Sequence, residues 1–142
     1  MKINKILVPY DGSEYSNNAA NYALNLAKMT GAHVTIVHCY VWGWNMPEVP
    51  ELIINDIKMN MKKEAEEVVK RAERIFAQQG VEYELDTRIG DPGYVLTNLA
   101  KSKEYDLIVM GSQGHSEIGG LFLGSVTHKV LNKIYCPVLV VP

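Results

Sequence analysis

Asp106-Leu107-Ile108-Val109-Met110-Gly111-Ser112-Gln113-Gly114, with Gly124-Ser125-Val126-Thr127 following after nine further residues, is the stretch that decides the reading of this chain. Asp106 to Met110 is a short apolar run that ends on glycine, the pattern of a buried parallel strand. From Val126 to Ile134 the apolar residues fall at Val126, Val130, Leu131 and Ile134, which is helical spacing. A glycine-bearing loop therefore leaves a strand and enters a helix. Glycine permits positive φ and lets a ligand approach the backbone, while the free amides and positive dipole end of the next helix attract an anion. The combination points to a phosphate site, although glycines alone also mark ordinary turns. It is not a Walker loop, because Gly119 to Gly124 leads into Ser125 where lysine would stand, and no G-x-G-x-x-G dinucleotide fingerprint occurs.

Strand and helix patterns alternate along the chain, as in a parallel α/β sheet with crossover helices. Residues 5–9 read as the first strand, stopped by Pro9 and the turn Asp11-Gly12-Ser13. A helix over about 16–30 presents Ala19, Ala23, Leu26 and Ala27 on one face and stops at Gly31, and the second strand spans 34–40. Trp42, Gly43, Trp44, Pro47 and Pro50 make 41–50 irregular, a loop whose tryptophans either cover a ligand or pack beside the next helix. That long helix, roughly 51–79, carries the stripe Ile53, Ile57, Met61, Val68, Ala72 and Ile75, with Glu66/Lys70 and Glu67/Arg71 on a solvated face. Alternation over 83–89 predicts a half-exposed edge strand, Asp91-Pro92 a third helix start running to about Lys103, and 137–141 a fifth strand.

A chain of 142 residues, 47% hydrophobic and with net charge −2, is sized for a single domain, 1–142. No apolar run is long enough for a membrane span, and the first residues read as a strand, so a cytoplasmic location is the expectation. The absence of a polybasic block argues against nucleic acid as the main partner. Cys39 and Cys136 cannot build a disulfide framework and are expected to be free thiols; the histidines at 33, 38, 115 and 128 lack metal-cage spacing.

With Val8-Pro9-Tyr10-Asp11-Gly12-Ser13 at the first strand's end, Gly90-Asp91-Pro92, Gly111-x2-Gly114-x9-Gly124-Ser125 and the closing Cys-Pro-Val-Leu-Val-Val, the chain resembles the universal stress protein family over essentially its whole length. The resemblance implies a three-layer, Rossmann-like α/β fold of the adenine nucleotide alpha hydrolase type, with strand order 3-2-1-4-5 and a ligand crevice where the sheet reverses between strands one and four. Because the glycine motif is intact, it also implies an ATP-binding member. Pro9 and Asp11 would line the ribose and adenine side, and the backbone of Cys39, where the family usually has valine, would read the adenine edge. Gly111, Ser112, Gln113, Gly114, His115, Ser116 and Glu117, with Gly124, Ser125, Val126 and Thr127, would hold the ribose and phosphates.

No Lys or Arg lies between Gly111 and Thr127, so a triphosphate would rely on amides, Ser112, Ser125, His115 and Mg²⁺, with Asp11 the acidic candidate near the metal. Neither a base nor a cation suited to fast phosphoryl transfer is visible. The leading expectation is a nucleotide-responsive stress or signalling module with at most slow hydrolysis. A hydrolase or phosphotransferase using the same site, and a nucleotide-free dimerisation module, are the alternatives. A homodimer through 138–141 is expected, since this apolar strand lies at the sheet's edge without a charged guard. A thiol at 39 would also make binding sensitive to oxidation.

Overall fold

The structure, a computed structural model, describes residues 1–42, 47–115 and 122–142; Trp44, Ser116, Glu117 and Leu121 fall outside the described residues. The elements are β1 (Lys5–Pro9), α1 (Glu14–Thr30), β2 (His33–Tyr40), α2 (Glu51–Lys70), α3 (Glu73–Phe76), β3 (Tyr83–Ile89), α4 (Pro92–Lys101), β4 (Leu107–Gly111), α5 (Ser125–Asn132) and β5 (Val138–Val141). The five strands form one parallel sheet in the order β3-β2-β1-β4-β5. This is the expected order, and it opens the crevice between β1 and β4.

Both faces of the sheet are covered, which explains why Ile6, Leu7 and Val8 of β1 are all 0% exposed. The pleat sends Ile6 and Val8 to one side, against Ala19, Ala23, Val69, Ala72 and Phe76 of the α1, α2 and α3 layer. Leu7 goes to the other, with Val37, Leu96, Ile108 and Val130 under α4 and α5. Alanines on α1 let it lie close to the sheet. Gly31 ends that helix in the left-handed region, φ +75°, and its N–H closes on the Ala27 carbonyl at 2.8 Å. No helix among the described residues is long and apolar enough to cross a membrane.

Four local expectations change. The helix expected over 51–79 breaks after Lys70, where Arg71 and Ala72 bond back to the Val68 and Val69 carbonyls three residues earlier. That tighter turn re-phases the stripe, so that Ala72 and Phe76 are 0% exposed and the Phe76 ring lies 5.5 Å from Tyr83. No residue from 51 to 64 is buried, and Ile53 is 50% exposed. A helical run of that length, roughly 1.5 Å per residue, outreaches the shorter strands it covers. Further along, α5 stops at Asn132, leaving Ile134 outside it and exposed. Asp106 stays out of β4 and instead accepts the Asn4 and Lys5 N–H groups at 2.8 and 3.0 Å, pinning the start of β1.

Candidate functional site

A cavity of about 190 Å³ opens at the carboxyl ends of β1, β2 and β4, on the α4/α5 side of the sheet. Its wall includes Pro9, Asp11 and Cys39, the loop residues Gly111, Gln113, Gly114 and His115, and Gly124, Ser125, Val126 and Thr127. Of the described candidates, Ser112 alone stays off the wall: its N–H goes to the Val141 carbonyl and its carbonyl accepts the Gly124 N–H, both at 2.7 Å. Ser116 and Glu117 lie outside the described residues. Sequence reading passed over Tyr10, Ser16, Val37, His38, Pro92, Leu96 and Met110, which also line the cavity. The period of two in β2, which sets Val37 and Cys39 on one face, was the available signal for Val37.

Helix N-termini differ around the cavity. The Ser13 hydroxyl caps α1 by accepting the Ser16 N–H at 3.2 Å, and the Asp91 carboxylate caps α4 by accepting the Tyr94 N–H at 3.0 Å. In α5 the cap position is Gly124, which has no side chain to do this. The first backbone bond of α5 runs from the His128 N–H to the Gly124 carbonyl at 2.9 Å, so the N–H groups of Ser125, Val126 and Thr127, all residues of the cavity wall, have no acceptor within the helix. The buried Thr127 hydroxyl donates to the Gly111 carbonyl at 2.8 Å, fixing this helix end to β4.

Gly111, Gly114 and Gly124 do not take positive φ, so left-handed freedom is not why they are glycines. Space is. A Cβ on Gly111 would stand 2.7 Å from the Tyr15 Cβ and 2.9 Å from its carbonyl carbon; on Gly114, 2.6 Å from Asp11 Oδ2; on Gly124, 3.1 Å from the Gln113 Cα.

Burial pushes the Asp11 carboxyl upward, but hydrogen bonds from Ser13 and Ser16 and the nearby His115 outweigh it and hold the pKa below the ordinary value. Burial pushes the Cys39 thiol up to about 11, only partly offset by Arg88, so at neutral pH it is a resting thiol. That counts against the oxidation sensitivity expected for it, because the thiolate is the reactive form. Cys39 and Cys136 are both free, and Cys136 precedes β5 instead of lying in it. His38 Nδ1–H donates to the Tyr10 carbonyl at 2.8 Å, a satisfied histidine. Phe122, at the far side of the loop, is 95% exposed.

No Lys or Arg is among the described residues of the wall. The nearest lysine after the loop, Lys129, pairs with the Asp91 carboxylate at 3.2 Å. Among the described residues no three His, Cys, Asp or Glu side chains converge to hold a metal, so Mg²⁺ here would take its remaining ligands from a nucleotide and water.

Residues 2–142 match the model of the universal stress protein family. The chain is 38% identical to Universal stress protein YxiE of Bacillus subtilis, over 97% of this chain and 98% of that one. Among solved structures, UspA from Lactobacillus plantarum superposes with TM-score 0.85 at 22% identity, covering 100% of this chain and 99% of that one. A universal stress protein in complex with cAMP gives TM-score 0.70 at 25% identity, covering 99% and 98%. One from Archaeoglobus fulgidus in complex with dAMP gives 0.69 at 22%, covering 100% of both chains. With its sheet order, its glycine loop and a family match that spans all but one residue, the chain belongs to the universal stress protein family.

Proposed function

We propose that this protein binds an adenine nucleotide, ATP with Mg²⁺ foremost, in the cavity between β1 and β4, and that occupancy is its signal. The observation that carries this is the uncapped N-terminus of α5, whose Ser125, Val126 and Thr127 amides line a cavity at the sheet's switch point. The apolar part of the wall, Pro9, Val37, Leu96, Met110 and the Cys39 backbone, suits a base and sugar. Relatives held in complex with cAMP and dAMP support an adenine ligand. Mg²⁺ would supply the positive charge that the described wall lacks, and the chain's own part is to bind and orient through amides.

Turnover is slow in this reading, because no described lysine or arginine faces the cavity to stabilise a transferring phosphoryl group. The protein acts in the cytoplasm as a homodimer joined through β5, and a further protein partner reads the bound state. Edge chemistry favours β5 over β3: β3 carries Glu84, Asp86 and Arg88, the last two ion-paired at 2.7 Å, whereas β5 is Val138-Leu139-Val140-Val141. Mass spectrometry of small molecules released from denatured purified protein, with calorimetry of ATP and AMP, tests the reading. An adenine nucleotide at near-stoichiometric amount supports it. No release and no calorimetric binding would refute it, and hydrolysis near the enzyme median of about 10 per second would move the protein to the hydrolase alternative.

A further inference from the structure

β1 and β2 run parallel with Lys5 beside His33 and Pro9 beside Val37. Their ladder opens with the His33 N–H on the Asn4 carbonyl and reaches the Tyr10 N–H on the Val37 carbonyl, both at 2.8 Å. In a parallel pair the bonds recur at every second residue, so the next rung is due from the Cys39 N–H to the Tyr10 carbonyl. It does not form. The Tyr10 carbonyl accepts the Nδ1–H of the His38 ring at 2.8 Å instead, and the Cys39 N–H meets no acceptor among the described residues. β3 offers none, because β2 turns its even-numbered residues that way: the Val34 N–H goes to the Glu82 carbonyl at 3.0 Å, and the Tyr40 carbonyl accepts the Gly90 N–H at 2.9 Å. The unused amide therefore faces the β1 side, and Cys39 is a wall residue of the cavity. The same period of two puts His38 on the sheet face of Val34 and Ile36, opposite Val37 and Cys39.

We infer that His38 is a positioning residue: its ring stands in for the missing rung, satisfies the Tyr10 carbonyl, and so keeps the Cys39 N–H free as a hydrogen-bond donor to the base of the nucleotide. The inference rests on the nucleotide reading above and deepens it by naming what holds that donor open. In a stretch of wall otherwise made of Pro9, Val37, Leu96 and Met110, a single amide fixes how a base lies. Tyr10 is 3% exposed, so its carbonyl, deprived of the ring, either finds another donor or stays buried and unpaired. The Cys39 N–H is the donor already in ladder position. Without His38 the two strands zip by one more rung, and the cavity loses a donor that the ladder otherwise leaves unused.

Two measurements on the intact chain test this: amide hydrogen exchange at Cys39 without ligand, and calorimetry with AMP and adenosine. His38→Leu and His38→Ala both remove the donor, whereas His38→Asn carries an Nδ2–H as many bonds from the backbone as the Nδ1–H of the ring. In the Leu and Ala variants Cys39 exchange is expected to slow by about tenfold, the reverse of what a loosened strand end would give, and AMP and adenosine to weaken by one shared factor of about tenfold. His38→Asn is expected to restore both to within about threefold of wild type. Cys39 exchange that is unchanged or faster in the Leu and Ala variants overturns the inference. So does a loss seen with AMP and not with adenosine, which would place the effect at the phosphates, or an Asn variant indistinguishable from Leu. If the wild type binds neither ligand, the nucleotide reading fails and the exchange rates alone decide the rung.

Discussion

Replacing Thr127 by Val removes one hydroxyl at nearly constant volume, and the structure says what that hydroxyl does. Thr127 is 2% exposed and donates to the Gly111 carbonyl at 2.8 Å, so Val would leave a buried acceptor without its donor. Such a vacancy costs about 1–3 kcal/mol. With a urea slope of about 1–3 kcal/mol per molar, the mid-values put the fall in the unfolding midpoint at roughly 1 M. Thr127→Ser keeps the donor and loses a methyl, so it separates the bond from the packing. Stability and binding then part company: a domain that stays folded by several kcal/mol presents the same concentration of sites, so any change in affinity reports geometry. Because the bond fixes the first turn of α5 to β4, AMP affinity should drop by about three- to tenfold in the Val variant, against the roughly 1.4 kcal/mol that a tenfold change represents. Urea titration by circular dichroism and calorimetry with AMP read the two effects. A Val variant as stable as the Ser variant, with unaltered AMP binding, would show that this hydroxyl does not hold the phosphate seat in place.

The other predictions concern separate parts of the molecule. Gly124→Val should abolish nucleotide binding with the far-ultraviolet spectrum retained, since its Cβ would stand 3.1 Å from the Gln113 Cα and part the loop; full calorimetric affinity would sink this. Cys39, pushed up to about 11 by burial, should be alkylated by iodoacetamide at a rate that climbs steeply only as the pH approaches that value, and half-maximal reaction near pH 8 would contradict it. Asp11 has its folded pKa held below the ordinary 3.8, so its contribution is fully present above that value and lost as the pH falls through the lower folded one. The stability gap between wild type and Asp11→Asn should therefore be widest near neutrality and close in strong acid, and a gap that widens on acidification would show the sign to be wrong. Val140→Lys should weaken a dimer that otherwise sediments near twice the 15.9 kDa chain mass, because like charges would meet across the two-fold axis. A wild type that stays monomeric at all micromolar concentrations would remove β5 as an interface.

Local features were legible from residue order. Gly31 had to end α1 because it follows the last apolar turn, Asp91-Pro92 had to begin α4 because one caps and the other fits the first turn, and the bounds of β1 and β3 were legible from Pro9 and from the alternation over 83–89. The glycine loop announced an anion site because a strand end and a helix start lie within a few residues of it. Strand order came from resemblance, since periodicity says that strands exist and not which of them are neighbours. Tertiary structure alone decided the rest. The stripe on the 51–79 segment says that a face is apolar but not how far the sheet extends beneath it, so the break after Lys70 and the exposure of Ile53 waited for the fold. The same holds for why Gly114 is glycine. Its neighbour is the Asp11 carboxylate, brought from the far end of the chain, and local sequence cannot report a clash between residues that only packing puts together.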